Sequence, residues 1–254
     1  MPTQRYTVQG KRVPSVTTIL GKFKDPGALM YWSWDIAYQQ LTTAVYLLKT
    51  GAKVKEVKSF LATNPLELGN YRAMSARAAE AGTVAHRLVE IWIHASKGEK
   101  LNLAKKSHRV IASEFNVHLE IAEKARSSFQ AFLKWEKLHK IKVKQTEAAL
   151  ISTSNRYGGC IDCIAELDGD LVILDWKTSK AVYSDYICQL AAYGLLWNEN
   201  HPDNQINSYH LLRFDKETAD FHHHQFRKLD GAAEMFLLFR RCYELQAELE
   251  KRIK

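Results

Sequence analysis

Apolar and polar positions change period several times along this chain. Residues 1–24 carry two short runs, RYTV and RVPSV, interrupted by Gly10, Pro14 and Gly21, and read as extended segments. Asp25 followed by Pro26 is a helix start, a capping carboxylate before proline at the first helical position, and predicts an aromatic-rich helix to about Lys49. Helical spacing returns over about 54–63, over a long stretch of about 66–96, and over about 114–139. In the last of these Phe115, Leu119, Ala122, Phe129, Phe132 and Leu133 recur on one side.

At Ile141 the pattern switches to strands: IKVKQTEAALIS, YGGCIDCIAEL and DLVILDWK, with turn formers at Gly158 and at Asp168-Gly169. A helix over about 184–199 follows, then strands near 206–214 and 219–226, then an amphipathic helix over about 231–252. These elements predict an α/β protein with a central mixed β-sheet flanked by α-helices. The expected organisation is one domain over 1–254: an extended and helical segment at 1–65, a core at 66–200, and closing strands and helix at 201–254.

Charge adds a class of partner. Thirty-six lysines and arginines against 28 acidic residues leave the chain at +8, which attracts polyanions. Lys22, Lys24, Arg72, Arg77 and Lys180 are candidate phosphate contacts on that basis. The first residues lack the apolar core of a secretory signal and the character of a transit peptide, and no run of about 18 apolar residues is present. Four cysteines in 254 residues do not make a disulfide framework. The expectation is a cytoplasmic protein, with a polyanion rather than a membrane as its partner; protein partners are unknown.

The chemistry gathers in two strands. In LVILDWKTSK, Asp175 and Lys177 are two apart and project to one face while Trp176 points away. The apolar run Leu171–Leu174 makes this strand a buried one, and charges at the end of a buried strand require a compensating partner. Asp175, with Asp162 of GGCIDCIAEL, offers hard oxygen donors suited to Mg2+ or Mn2+, completed by the Trp176 backbone carbonyl, waters and phosphate. Such an ion polarises a phosphate and lowers the pKa of a bound water. Lys177 would orient or deprotonate that water, or neutralise developing charge. His86 and Glu90 fall at i and i+4 on a helix upstream, and Gln189 and Tyr193 do so downstream.

Gly82-x-x-x-His86-x-x-x-Glu90, Gly159-x-x-Asp162, Asp175-x-Lys177 and Gln189-x-x-x-Tyr193, in that order, resemble the motifs of the RecB-like branch of the PD-(D/E)XK nuclease superfamily. The resemblance covers about residues 80–200. It implies a restriction-endonuclease-like core in which His86, Asp162 and Asp175 bind metal and Lys177 is catalytic. Gln189 and Tyr193 then flank the centre, Glu90 supports His86, and Glu147 stands where this branch often has a glutamate before the hairpin. The opening segment is also similar to that of stand-alone phage exonucleases and the mitochondrial genome maintenance exonuclease group.

Other features carry less. No cysteine precedes His86, so the iron–sulfur arrangement of some superfamily members is absent, and Cys160-x-x-Cys163 in a strand is poorly spaced for chelation. His222, His223 and His224 alternate faces in a strand. Tyr31, Trp32 and Trp34 offer a stacking platform for bases, with core packing as the preferred reading. The function expected is a metal-dependent DNA nuclease, an exonuclease on single-stranded or end-processed DNA in replication, recombination or repair. The alternatives are a structure-specific endonuclease and a non-catalytic nucleic-acid-binding subunit.

Overall fold

The computed structural model describes residues 5–24, 27–63, 84, 87–89, 91–93, 113, 119–179, 181–214 and 220–253. They form two compact units, 25–83 and the remainder of the chain. In the smaller unit, α2 (Gly27–Lys49) and α3 (Val54–Thr63) are both helices. Tyr31 and Trp34 on α2 are 78% and 63% exposed, so these two rings are not core, against the preferred reading of the sequence. Trp34 stacks on Tyr38, one turn on.

The larger unit begins with a hairpin, β1 (Tyr6–Val8) and β2 (Lys11–Val13), turned by Gln9 and Gly10, both at positive φ as a tight two-residue hairpin turn requires. Residues 16–23 depart from the extended reading and form a helix, α1 (Val16–Phe23). Ser15 caps it, accepting from the Thr18 backbone N–H at 3.0 Å. Val16, Ile19 and Leu20 are buried at helical spacing, and that burial overrides the strand preference of Val16, Thr17 and Thr18.

The main sheet has five strands in the order β3 (Ile141–Ser152), β4 (Tyr157–Leu167), β5 (Asp170–Thr178), β6 (Ser208–Phe214) and β7 (Phe221–Phe226). The β5–β6 pair is parallel and the other pairs are antiparallel. The parallel pair needs a crossover, supplied by α5 (Ser184–Asn200). The remaining described helices of this unit are α4 (Leu119–Glu136) and α6 (Asp230–Ile253); residues 84, 87–89 and 91–93 are also helical. The rest of the long helix expected over 66–96 lies outside the described residues.

Alternation sorts the strands into two cores. Ile173 and Leu211 pack with α1, α5 and Phe236 of α6. Val172, Leu174, Trp176, Leu212 and Phe214 pack with Val89, Ile93 and α4 residues Phe132 and Trp135 on the other face. A strand covered on both sides reads as continuously apolar, which is why LVIL shows no alternation in the sequence. This is an α/β restriction-endonuclease-like fold, a mixed sheet flanked by helices. Among the described residues, no helix is long and apolar enough to cross a membrane.

At the β6–β7 edge the three histidines divide between faces as the strand pattern requires. His223 stacks on His210, their rings hydrogen-bonded at 2.7 Å (His210 Nδ1 to His223 Nε2), and His210 Nε2 lies 2.9 Å from the buried Ser208 hydroxyl. Burial, then His223 and His139, push His210 down to about 3. Burial, then His139 and His224, push His223 down to about 4. Both are therefore neutral in the fold at pH 7, whereas the unfolded chain takes up protons below about 6.5. This contribution to stability is full above about pH 6.5 and is lost as pH falls towards 4. Thermal melts followed by circular dichroism from pH 7.5 to 4.5 should show His223→Gln losing less stability on acidification than the wild-type chain. Parallel curves would remove this pair as a source of acid sensitivity.

Candidate active site

β4 and β5 are joined by a turn at Asp168 and Gly169, both at positive φ, and pair from Leu167–Asp170 to Cys163–Leu174. Pairing stops there, immediately before Asp162 and Asp175. β4 also changes face at this point: Ile161 and Ile164 pack in the same core although three apart, while Cys163 packs in the other. In register with this irregularity on β3, Glu147 has φ +48°, a left-handed conformation rare for a non-glycine residue. The two strands open like a split seam, and the Asp162 carboxylate takes over one ladder bond, its Oδ2 accepting from the Trp176 backbone N–H at 3.2 Å.

Asp175 follows Ile173 on the α5 face and is 1% exposed. Lys177, two residues on, pairs with it at 2.5 Å (Nζ to Oδ2), while Trp176 is buried in the opposite core. Burial alone would lower the Lys177 pKa. Asp175 and then Asp162 outweigh it and hold the ammonium above the usual lysine value. Two carboxylates thus share one cation in a largely dry setting.

α5 closes the site. Gln189 donates from Nε2 to the Tyr193 hydroxyl at 2.8 Å. Burial first, then Asp162 and Asp175, raise the Tyr193 pKa well above that of an ordinary tyrosine, so its hydroxyl stays protonated beside the carboxylates. Gly159 is what lets α5 come so close: a Cβ there would sit 2.8 Å from Leu196 and 2.9 Å from Tyr193. Tyr186, one turn before Gln189, lies with its ring 5.4 Å from the Lys177 ammonium. The sequence reading missed Tyr186, although extending the Gln189 face back by i−3 reaches it. It also missed Glu199 at the far end of α5. Glu199 accepts from the backbone N–H groups of Thr153 and Ser154 (2.8 and 3.1 Å) and from the Ser152 hydroxyl (2.6 Å), fixing the β3–β4 turn.

The other expected residues scatter. Glu147 bonds to the Cys160 thiol at 3.2 Å, and burial followed by this contact pushes that thiol up to about 12. Lys24 pairs with Asp185 at 3.0 Å, and Lys22 lies 3.8 Å from Glu250, both within the larger unit. His86, Glu90, Arg72, Arg77 and Lys180 lie outside the described residues. Among those described, no cluster of three or more histidine, cysteine or acidic side chains is placed to hold a metal ion. Asp162 and Asp175 nevertheless supply hard oxygen donors, the chemistry that Mg2+ and Mn2+ take.

With this geometry in view, the family follows: residues 58–251 match the PD-(D/E)XK nuclease superfamily, and the chain belongs to it. A 91-residue stretch is 32% identical to mitochondrial genome maintenance exonuclease 1 of Xenopus tropicalis, covering 33% of this chain and 26% of that protein. The chain therefore spans about a quarter of the curated relative it matches. Among solved structures, LHK-Exo in complex with dAMP is 15% identical at a TM-score of 0.34 over 69% of this chain and 94% of that one. SSO0001 is 12% identical at 0.30 over 65% and 72%.

The shared cation makes a stability prediction. Lys177→Met leaves Asp162 and Asp175 without their common ammonium and should cost about 3–5 kcal/mol, the scale for stripping one partner from a buried pair. Asp175→Asn should cost less, because Lys177 keeps Asp162. Urea unfolding of both variants, and of the double variant, checks the order; Asp175→Asn proving the more damaging would contradict it.

Proposed function

We propose that this chain is a divalent-metal-dependent deoxyribonuclease that hydrolyses phosphodiester bonds, acting as an exonuclease on single-stranded or end-processed DNA in replication, recombination or repair. The observation that carries this reading is the convergence of Asp162, Asp175 and Lys177 on the α5 face, backed by the Gln189–Tyr193 pair, in a member of a nuclease superfamily. The exonuclease part is supported by the name of the Xenopus tropicalis relative, and the polyanionic substrate by the charge of +8. A cytoplasmic setting is supported by four cysteines, all described and none in a disulfide.

The residues divide the work. Asp162 and Asp175 would hold Mg2+ or Mn2+, with the Trp176 carbonyl and, from the sequence motif, His86; Glu147 is a further oxygen donor on the adjacent strand. Bound there, the ion would supply Lewis acidity at the scissile phosphate. Lys177, kept as an ammonium by Asp175, donates to a non-bridging phosphate oxygen and offsets the charge that grows on it. Tyr193 and Gln189 hold the carboxylate wall in place from α5. Lys22, Lys24, Arg72, Arg77 and Lys180 remain proposed phosphate contacts, and Glu90 a proposed support for His86.

EDTA should abolish cleavage of end-labelled DNA, and added Mg2+ or Mn2+ should restore it. Lys177→Ala, assayed where circular dichroism shows it folded, should be slower by at least ~10²-fold with DNA binding retained. Wild-type rates in this variant would take Lys177 out of the mechanism.

Linear and circular single strands of one sequence separate the modes of attack. An exonuclease degrades only the linear strand. Cleavage of the circle would replace this reading with an endonuclease, and binding without cleavage of either would leave a nucleic-acid-binding subunit.

A further inference from the structure

Tyr186 and Tyr183 extend the site outwards from Lys177. The Lys177 ammonium lies over the Tyr186 ring at 5.4 Å, and Tyr186 meets Tyr183 edge to face at 5.4 Å and 86°. Tyr183 is 48% exposed at the N-cap position of α5, where it makes no side-chain capping bond, so hydrogen bonding to the helix does not account for its place. One ring is thus anchored on the catalytic lysine and the next opens to solvent. Between them in sequence lies Asp185, whose carboxylate would repel a nucleic acid, but Lys24 of the α1 C-cap neutralises it at 3.0 Å. An exposed aromatic ring beside a phosphate-binding cation, with the nearby acid masked, has the chemistry that receives an unpaired base while its phosphate is held next door.

We propose that Tyr183, braced by Tyr186, forms a stacking subsite for one unpaired nucleobase adjacent to the phosphodiester at Lys177. The proposal rests on the nuclease reading of this site and adds a reason for single-strand preference. A base inside a duplex is already stacked on its neighbours and gains nothing from Tyr183, whereas an unpaired base does.

The test couples protein and base. The 254-residue chain in Ca2+, which is larger and less strictly octahedral than Mg2+ and suits binding without turnover, is titrated with fluorescent single strands carrying one abasic nucleotide at successive positions. For the intact strand, Tyr183→Ala should raise Kd roughly 5- to 150-fold, the range of base–aromatic stacking, with duplex binding unchanged and Tyr183→Phe near wild type. In the wild-type protein one abasic position should give a similar loss, and that loss should vanish in Tyr183→Ala. A flat abasic scan of the wild-type protein overturns the subsite without any variant. Additive losses from the missing base and the missing ring overturn it as well. The two readings fail separately: metal-dependent cleavage with a flat scan removes only the subsite, and a positional, Tyr183-dependent scan without cleavage removes only the nuclease.

Discussion

β5 is packed on both faces and still carries two charges, Asp175 and Lys177, in its second half, and that constraint organises the rest of the larger unit. An isolated carboxylate as deeply buried as Asp175 is unfavourable by several kcal/mol unless something compensates it. The nearest compensation is Lys177, which the two-residue strand repeat places on the same face. The same repeat turns Trp176 into the opposite core, so the strand is pinned by an apolar side chain between its two charged ones. Packing on one face thereby fixes the electrostatics of the other.

The second condition is the opening between β4 and β5. A continuous antiparallel ladder would use every backbone group and press facing side chains together. Here the ladder ends at Cys163–Leu174, and a side chain repairs the break from within, Asp162 accepting the Trp176 N–H. The left-handed residue Glu147 and the face change in β4 sit at the same level of the sheet. Backbone irregularity of this kind carries an energetic penalty of order 1–3 kcal/mol per residue and persists where the surroundings over-determine it. Its concentration beside the two aspartates marks where regular structure gives way to a site.

Much of this was legible in the sequence, for identifiable reasons. Period-two sorting of Asp175, Trp176 and Lys177 needs only the strand, and the strand was announced by LVIL between turn signals. The α3 helix and the closing helices were carried by periodicity alone. α1 was not legible, because Val16, Thr17, Thr18 and Gly21 are poor helix formers and the deciding factor is burial against α5 and α6, which is tertiary. The exposure of Tyr31 and Trp34 was misjudged because an aromatic helix face reads the same whether or not anything covers it. The face change at Asp162 left no trace in the residue pattern. His86 and Glu90 belong to motifs that the sequence displays, but they fall outside the described residues.

Glu199 and Tyr186, whose ring faces Lys177, stand near opposite ends of one rod. α5 is about 25 Å long at 1.5 Å per residue, and Tyr186 is about 20 Å from the Glu199 clamp. A tilt of about 2° about that clamp would swing the Tyr186 end by about 0.7 Å, close to the misplacement of about 1 Å that can cost a reaction two orders of magnitude. The hydroxyls and amides gathered around Glu199 thus set an angular tolerance. The turn at Ser152–Ser154 becomes the bearing on which the far end of α5 is aligned over Lys177.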